Sequence, residues 1–280
     1  MQSIGINLMV WNGQVGAAEL ELLPQIKAMG YTGVEIPIFD PTAIGTETLR
    51  AALATQELAC TTCTALPPHL NLIDEDVRAQ GVQWLQRVVD QVAALGATIL
   101  CGPMAAPVGE RRGRGYTQAE WDSCVQGLRA VGVYAAAQGV TLAVEPLNRF
   151  ETFIVNTVAD GVRLMDEVDH PAVGLLLDTF HMHIEEKSTA TAIRQAARHL
   201  KHFHTSENDR GIVGSGQVAW PSVFGALQDI YYNGWLVVES FGHAIPELAG
   251  AACVWRPLAP NPAALAEGSI RYLRRHLPTT

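Results

Sequence analysis

Four apolar runs in the second half of the chain each end in a side chain that can carry a proton or hold a cation. Thr141–Val144 runs into Glu145, Leu175–Leu177 into Asp178, His202-Phe203 into His204, and Trp235–Val238 into Glu239. Short apolar and β-branched runs of this kind are buried strands. Pro146, directly after Glu145, stops further regular pairing. A carboxylate at the end of such a strand stands at a mouth rather than on a flank. Three carboxylates crowded at one rim repel each other unless something positive sits among them. A divalent cation meets that need, and the imidazole of His204 makes a fourth ligand. Oxygen-rich ligation with one histidine suits Mn2+, Mg2+ or Co2+ better than structural zinc. Four protein ligands leave two octahedral positions for neighbouring oxygens of a substrate. Taken singly, each acid also reads as an ion-pair partner or a helix cap, and Glu35 at the end of the second apolar run is read that way. His202 reads as a satisfied core histidine, His181 as a polar site contact and His183 as solvent-facing.

The elements that must position these side chains repeat one unit: an amphipathic helix, a glycine, and a short apolar strand. It appears around Gly30, Gly96, Gly139 and Gly234. Glycine just past a helix supplies the left-handed residue that turns the chain back. The spacing predicts strands near 4–10, 32–37, 58–64, 98–102, 140–145, 173–178, 200–206 and 235–239. It predicts helices near 16–29, 46–56, 75–94, 117–138, 157–168, 188–198, 219–230 and 261–275. Thr117 with Glu120 forms a capping box, and Trp121, Val125, Leu128 and Val131 follow at helical spacing. Alternating strands and helices imply a parallel sheet with right-handed crossovers. Eight such pairs without a composition break predict an α/β chain folded as one (β/α)8 TIM barrel domain over 1–280. The alternative, an open doubly wound sheet, would carry a GxGxxG after the first strand, and none is present. In a closed barrel the ends of strands five to eight converge on one rim, which brings Glu145, Asp178, His204 and Glu239 side by side.

The totals narrow the partners. A net charge of −9 argues against a nucleic-acid backbone. No apolar run is long enough to span a bilayer, and the start lacks the basic segment of a signal peptide. A cytoplasmic enzyme or binding protein of small molecules is the expectation. Five cysteines without regular spacing argue against a disulfide framework, and the Cys60–Cys63 CxxC reads as buried thiols. Two connections exceed plain loops. Gly102–Tyr116 carries Arg111, Arg112 and Arg114, read as a solvated face rather than a phosphate site. His243–Pro260 is apolar and reads as a lid or a subunit contact.

Several blocks carry a family resemblance. They are Glu145-Pro146-Leu147-Asn148-Arg149-Phe150-Glu151 and Leu177-Asp178-Thr179-Phe180-His181-Met182-His183, then Phe203-His204-Thr205-Ser206-Glu207-Asn208-Asp209-Arg210. Gly214-Ser215-Gly216 with Trp220, and Val238-Glu239-Ser240-Phe241, complete the set. Together they resemble the ketose 3-epimerases (D-tagatose, D-psicose and L-ribulose 3-epimerase) of the xylose-isomerase-like barrels, strongly over 140–260 and by strand pattern before that. The resemblance implies a metal held by Glu145, Asp178, His204 and Glu239, with Mn2+ foremost and Mg2+ or Co2+ as alternatives. It implies epimerisation of a free ketose at C3 through an enediolate, with Glu145 and Glu239 as the acid/base pair on opposite faces. It also implies that Glu151, His181 and Arg210 contact the oxygens around C1 to C3, and that the protein is a homodimer or homotetramer.

Rival readings are weaker. Hydroxypyruvate isomerase, or another sugar isomerase of the same superfamily, would bind the same metal and differ in substrate length. A DNA-repair AP endonuclease needs extra histidines, and His69 is the sole candidate among the early strands. A metal-free two-glutamate glycosidase leaves Asp178 and His204 without a role, and a silent sugar-binding barrel leaves the acid pair without one.

Overall fold

The computed structural model describes residues 2–43 and 45–277. Among them, eight parallel strands form a closed ring in chain order. They are β1 (Ile4–Asn7), β2 (Gly33–Pro37), β3 (Ala59–Cys63), β4 (Ile99–Gly102), β5 (Thr141–Val144), β6 (Val173–Asp178), β7 (Leu200–Thr205) and β8 (Leu236–Val238). β8 pairs back onto β1 through Ile4–Leu236, Gly5–Val237 and Ile6–Val238, which closes the cylinder. Helices run between the strands, and the main apolar core lies between the strands and these helices. A second, smaller cluster of Met9, Cys63, Cys101, Ala143, Leu176 and Leu248 fills the inside of the ring. The division follows from the strand period of two, which sends alternate side chains to opposite faces.

The predicted capping box forms: Thr117 Oγ1 accepts from Glu120 N at 3.3 Å, and the Glu120 carboxylate accepts from Thr117 N at 2.6 Å. Trp121, Val125, Leu128 and Val131 are buried on that helix, Gln118–Ala137. Gly96, at φ 78°, closes the helix Glu75–Leu95 as expected. At the fourth repeat of the unit the left-handed residue is Tyr231, at φ 55°, and not Gly234.

Four elements depart from the spacing. The first strand ends at Asn7, because the Asn7 side chain accepts from Met9 N at 2.9 Å and bends Leu8–Val10 into a 3-10 turn. The helix expected over 16–29 is two, Ala17–Leu20 and Leu23–Met29, the second with Pro24 in its first turn. Helices Thr179–Glu185, directly off β6, and Pro246–Ala252, inside the long apolar connection, have no counterpart in the periodicity.

The arginines of the 102–116 connection are held by carboxylates. Arg112 reaches Asp74 at 2.6 Å, Glu110 at 2.7 Å and Glu120 at 2.5 Å, and Arg114 reaches Glu120 at 2.8 Å. Arg111 donates to the carbonyl of Phe150. These contacts tie the connection to the helices Glu75–Leu95 and Gln118–Ala137. Arg112→Ala leaves three carboxylates facing one another; with the group partly solvated, the loss is about 1–2 kcal/mol, a fall of several degrees in a thermal melt.

The CxxC has a geometric answer. Two cysteines three apart on one strand face opposite sides, so Cys60 points out and Cys63 in, and both thiols are free.

Candidate metal centre at the barrel rim

Ala143 and Leu176 lie in the apolar cluster that fills the ring. Glu145 and Asp178 are each two residues further on, as are His204 from His202 and Glu239 from Val237. The same alternation therefore aims all four onto the barrel axis one layer higher. All four are buried, and one ligand atom from each lies within 4.8 Å of every other. His204 Nδ1 is 3.3 Å from Glu239 Oε1 and 3.8 Å from Asp178 Oδ2. Among the described residues His204 Nδ1 and Glu145 Oε1 have no hydrogen-bond partner. Leaving a buried nitrogen and a buried oxygen unpaired is costly. A divalent cation satisfies both, and the set of three carboxylates and one imidazole fits it.

Arg210 is the one guanidinium inside this ring among the described residues. Its NH1 donates to Asp178 Oδ2 at 2.6 Å, to Glu239 Oε2 at 2.7 Å and to Ser206 Oγ at 2.9 Å. Its carbon sits 3.9 Å from the Phe180 ring centre and 5.0 Å from that of Phe241. The backbone at Arg210 is left-handed, φ 63°, and Ser240 Oγ braces its carbonyl at 2.6 Å. A strained residue held on every side is a common mark of a working site. The sequence singled out Arg210 for substrate; the structure engages it first with two carboxylates of the cation set.

His181 begins one turn into the helix off β6. Its Nδ1 accepts from the backbone N–H of Asn148 at 3.1 Å and lies 2.9 Å from that residue's side-chain nitrogen. Burial, then the nearby Arg210 charge, press its pKa down to about 3, so the ring is neutral. Its proton therefore sits on Nε2, 3.5 Å from Glu145 Oε1. Glu151 is half-buried, accepts from Asn148 Nδ2 at 2.8 Å, and has its pKa raised chiefly by burial. His183 is exposed.

The two glutamates differ in kind. Burial, then the Glu239 carboxylate, hold Glu145 well above the usual carboxylate range. Burial also works against ionised Glu239, but His204 and Arg210 outweigh it and hold it at about 2. In the ion-free site the surroundings thus push the two carboxyl groups in opposite directions.

The floor beneath is Glu35, fully buried and 2.7 Å from the Nε2 atoms of both His202 and His204. The plain ion-pair reading of Glu35 from the sequence describes these contacts. His202 is paired on this side alone, its Nδ1 having no partner among the described residues. Asn148, Ser206 and Phe180, which hold His181, Asp178 and Arg210, had no signal beyond lying inside the motif blocks. Across the mouth, Leu248 of the helix Pro246–Ala252 packs into the interior cluster beside Met9.

Three comparisons bear on this geometry. The family description "Xylose isomerase-like TIM barrel" matches residues 23–276. A Synechocystis sp. protein named "Probable ketose 3-epimerase" is 36% identical over 273 residues, 97% of this chain and 95% of that one. An "L-ribulose 3-epimerase" of Methylomonas sp. is 32% identical over 97% of this chain and 96% of its own length. The crystal structure of a D-allulose 3-epimerase from Methylomonas sp. in complex with D-allulose superposes with a TM-score of 0.93 at 31% identity, covering 98% of this chain and 97% of that one. With a closed eight-stranded barrel and relatives matched over nearly the full chain, this protein belongs to the xylose isomerase-like TIM barrel family.

Proposed function

We propose that this isomerase interconverts free ketoses with their C3 epimers, using Glu145 and Glu239 as a two-way acid/base pair. The observation that carries the reading is the rim itself: four converging ligands, two of whose buried atoms have no other partner, with the two glutamates pushed in opposite directions in the ion-free site. The relatives named as ketose 3-epimerases support the substrate class. A cation held by Glu145, Asp178, His204 and Glu239, Mn2+ foremost with Mg2+ or Co2+ as alternatives, would polarise the C2 carbonyl and C3 hydroxyl and so acidify the C3 proton.

The protein's own groups do the rest. Glu239, ionised, takes the C3 proton, and the substrate becomes an enediolate. Glu145, protonated, delivers a proton to C3 from the opposite face, and the centre inverts. In the reverse direction the roles exchange. His181, neutral with its proton on Nε2, donates to a substrate oxygen near C1 to C3, and Arg210 NH2 and Glu151 complete that polar wall. Phe180 and Phe241 fix the guanidinium, and Leu248 on the overlying helix keeps water from the intermediate. On the same reading the chain is a single barrel domain that works in the cytoplasm as a homodimer or homotetramer.

The test is proton exchange. Incubated in D2O with Mn2+ and a panel of free ketoses, the protein is expected to yield C3 epimers labelled at C3, read by NMR and mass spectrometry. Unlabelled sugars recovered from every ketose, with metal bound, would end the proposal.

A further inference from the structure

We infer that Glu35 is a positioning residue for the metal centre: it holds the Nε2 proton of His204 and so makes Nδ1 the ligating nitrogen toward Glu145, Asp178 and Glu239. The inference deepens the metal reading above and rests on it. A neutral imidazole has one proton and two nitrogens, and the partner of one nitrogen decides which lone pair the other offers. His204 Nε2 lies 2.7 Å from Glu35 Oε1 and 3.8 Å from Cys101 Sγ, while Nδ1 is unpartnered among the described residues. An ionised carboxylate only accepts, so the ring must present a proton to it.

Glu35 is itself immobilised. Asn7 Nδ2 donates to Oε1 at 2.9 Å; Thr61 Oγ1 at 2.9 Å, Cys101 Sγ at 3.3 Å and His202 Nε2 at 2.7 Å reach Oε2. With His204, donors from β1, β3, β4 and β7 converge on one carboxylate. Glu35, Cys101, His202 and His204 also have the donor types of a second metal site. Their contacts of 2.7 Å are those of hydrogen-bonded partners, however. An ion bonded to each at about 2.0–2.3 Å would have to push them apart.

Glu35→Gln tests the assignment. The amide presents one oxygen and one NH2, so it cannot accept from both imidazoles. Expected is a 10- to 100-fold (order-of-magnitude) rise in the Mn2+ dissociation constant, by calorimetry or the EPR signal of free Mn2+, with far-UV CD unchanged. Long-range 1H–15N spectra of the 15N-histidine-labelled, Mg2+-loaded protein should place the His204 proton on Nε2 in the wild type and on both nitrogens in the variant. Thr62→Val, on the same strand but donating to the Ile99 carbonyl rather than to Glu35, should leave affinity unchanged. Equal Mn2+ affinity in wild type and Glu35→Gln, or an equal loss in Thr62→Val, overturns the inference while the metal reading stands. If Glu35→Gln does not fold, the wild-type spectrum decides, and a His204 proton on Nδ1 overturns it. A wild type that binds no metal ends the metal reading and this inference together.

Discussion

Glu239→Gln is expected to lower epimerase turnover by about a thousandfold or more while the barrel stays folded. The substitution keeps the size of the side chain but removes three things at once. The base is gone, since Glu239 is the glutamate held ionised, at about 2. One charged ligand of the ring is gone, and the contact Arg210 makes at 2.7 Å loses its negative charge. Folding should survive because β8 is paired through the backbone of Leu236–Val238. Epimer formation by chromatography, beside a thermal melt and metal content, reads the result. Retention of even a tenth of the wild-type rate would sink the two-base reading.

Removing the ion should have the second large effect: dialysis against a chelator takes turnover to background, and Mn2+ restores it. Stability should fall too. A ligand present at a hundred times its dissociation constant contributes about 2.7 kcal/mol, so the melting temperature should drop by several degrees. The dependence on pH has a definite sign. In the ion-free protein burial works against protonated His204, but Glu239 and Glu35 outweigh it and raise its pKa well above the ordinary value. A raised pKa gives stability that is fully present below the unfolded value and is lost as pH rises through the folded one. An ion at Nδ1 must displace that proton, so metal affinity should climb with pH up to the raised pKa and level off above it. Affinity that fell with rising pH would exclude His204 as a ligand.

What the sequence disclosed was set by periodicity and by punctuation. The eight strands and the ring of four were legible because apolar runs ended abruptly in charged residues, and a closed barrel admits one rim for such ends. The 3-10 turn after Asn7 was not legible, since Leu8, Met9 and Val10 continue the apolar run and a single side-chain hydrogen bond bends them. Helix Thr179–Glu185 was hidden for a related reason. Its start depends on Asp178 Oδ1 accepting from Phe180 N at 2.6 Å, a role the sequence had already given to metal binding. Glu35 was legible as an ion-pair partner, but not its partners, which lie on β1, β3, β4 and β7 and are connected by no local pattern.

The strand that supplies Glu239 is also the one that zips the cylinder shut against β1. On the proposed metal reading the seam would latch the ion: parting β8 from β1 would displace a ligand, and a bound ion would resist that parting. Exchange of the cation with solution should be slow and should keep pace with the rare opening of this seam, so that amide protons of Leu236–Val238 and the departing metal report one and the same event.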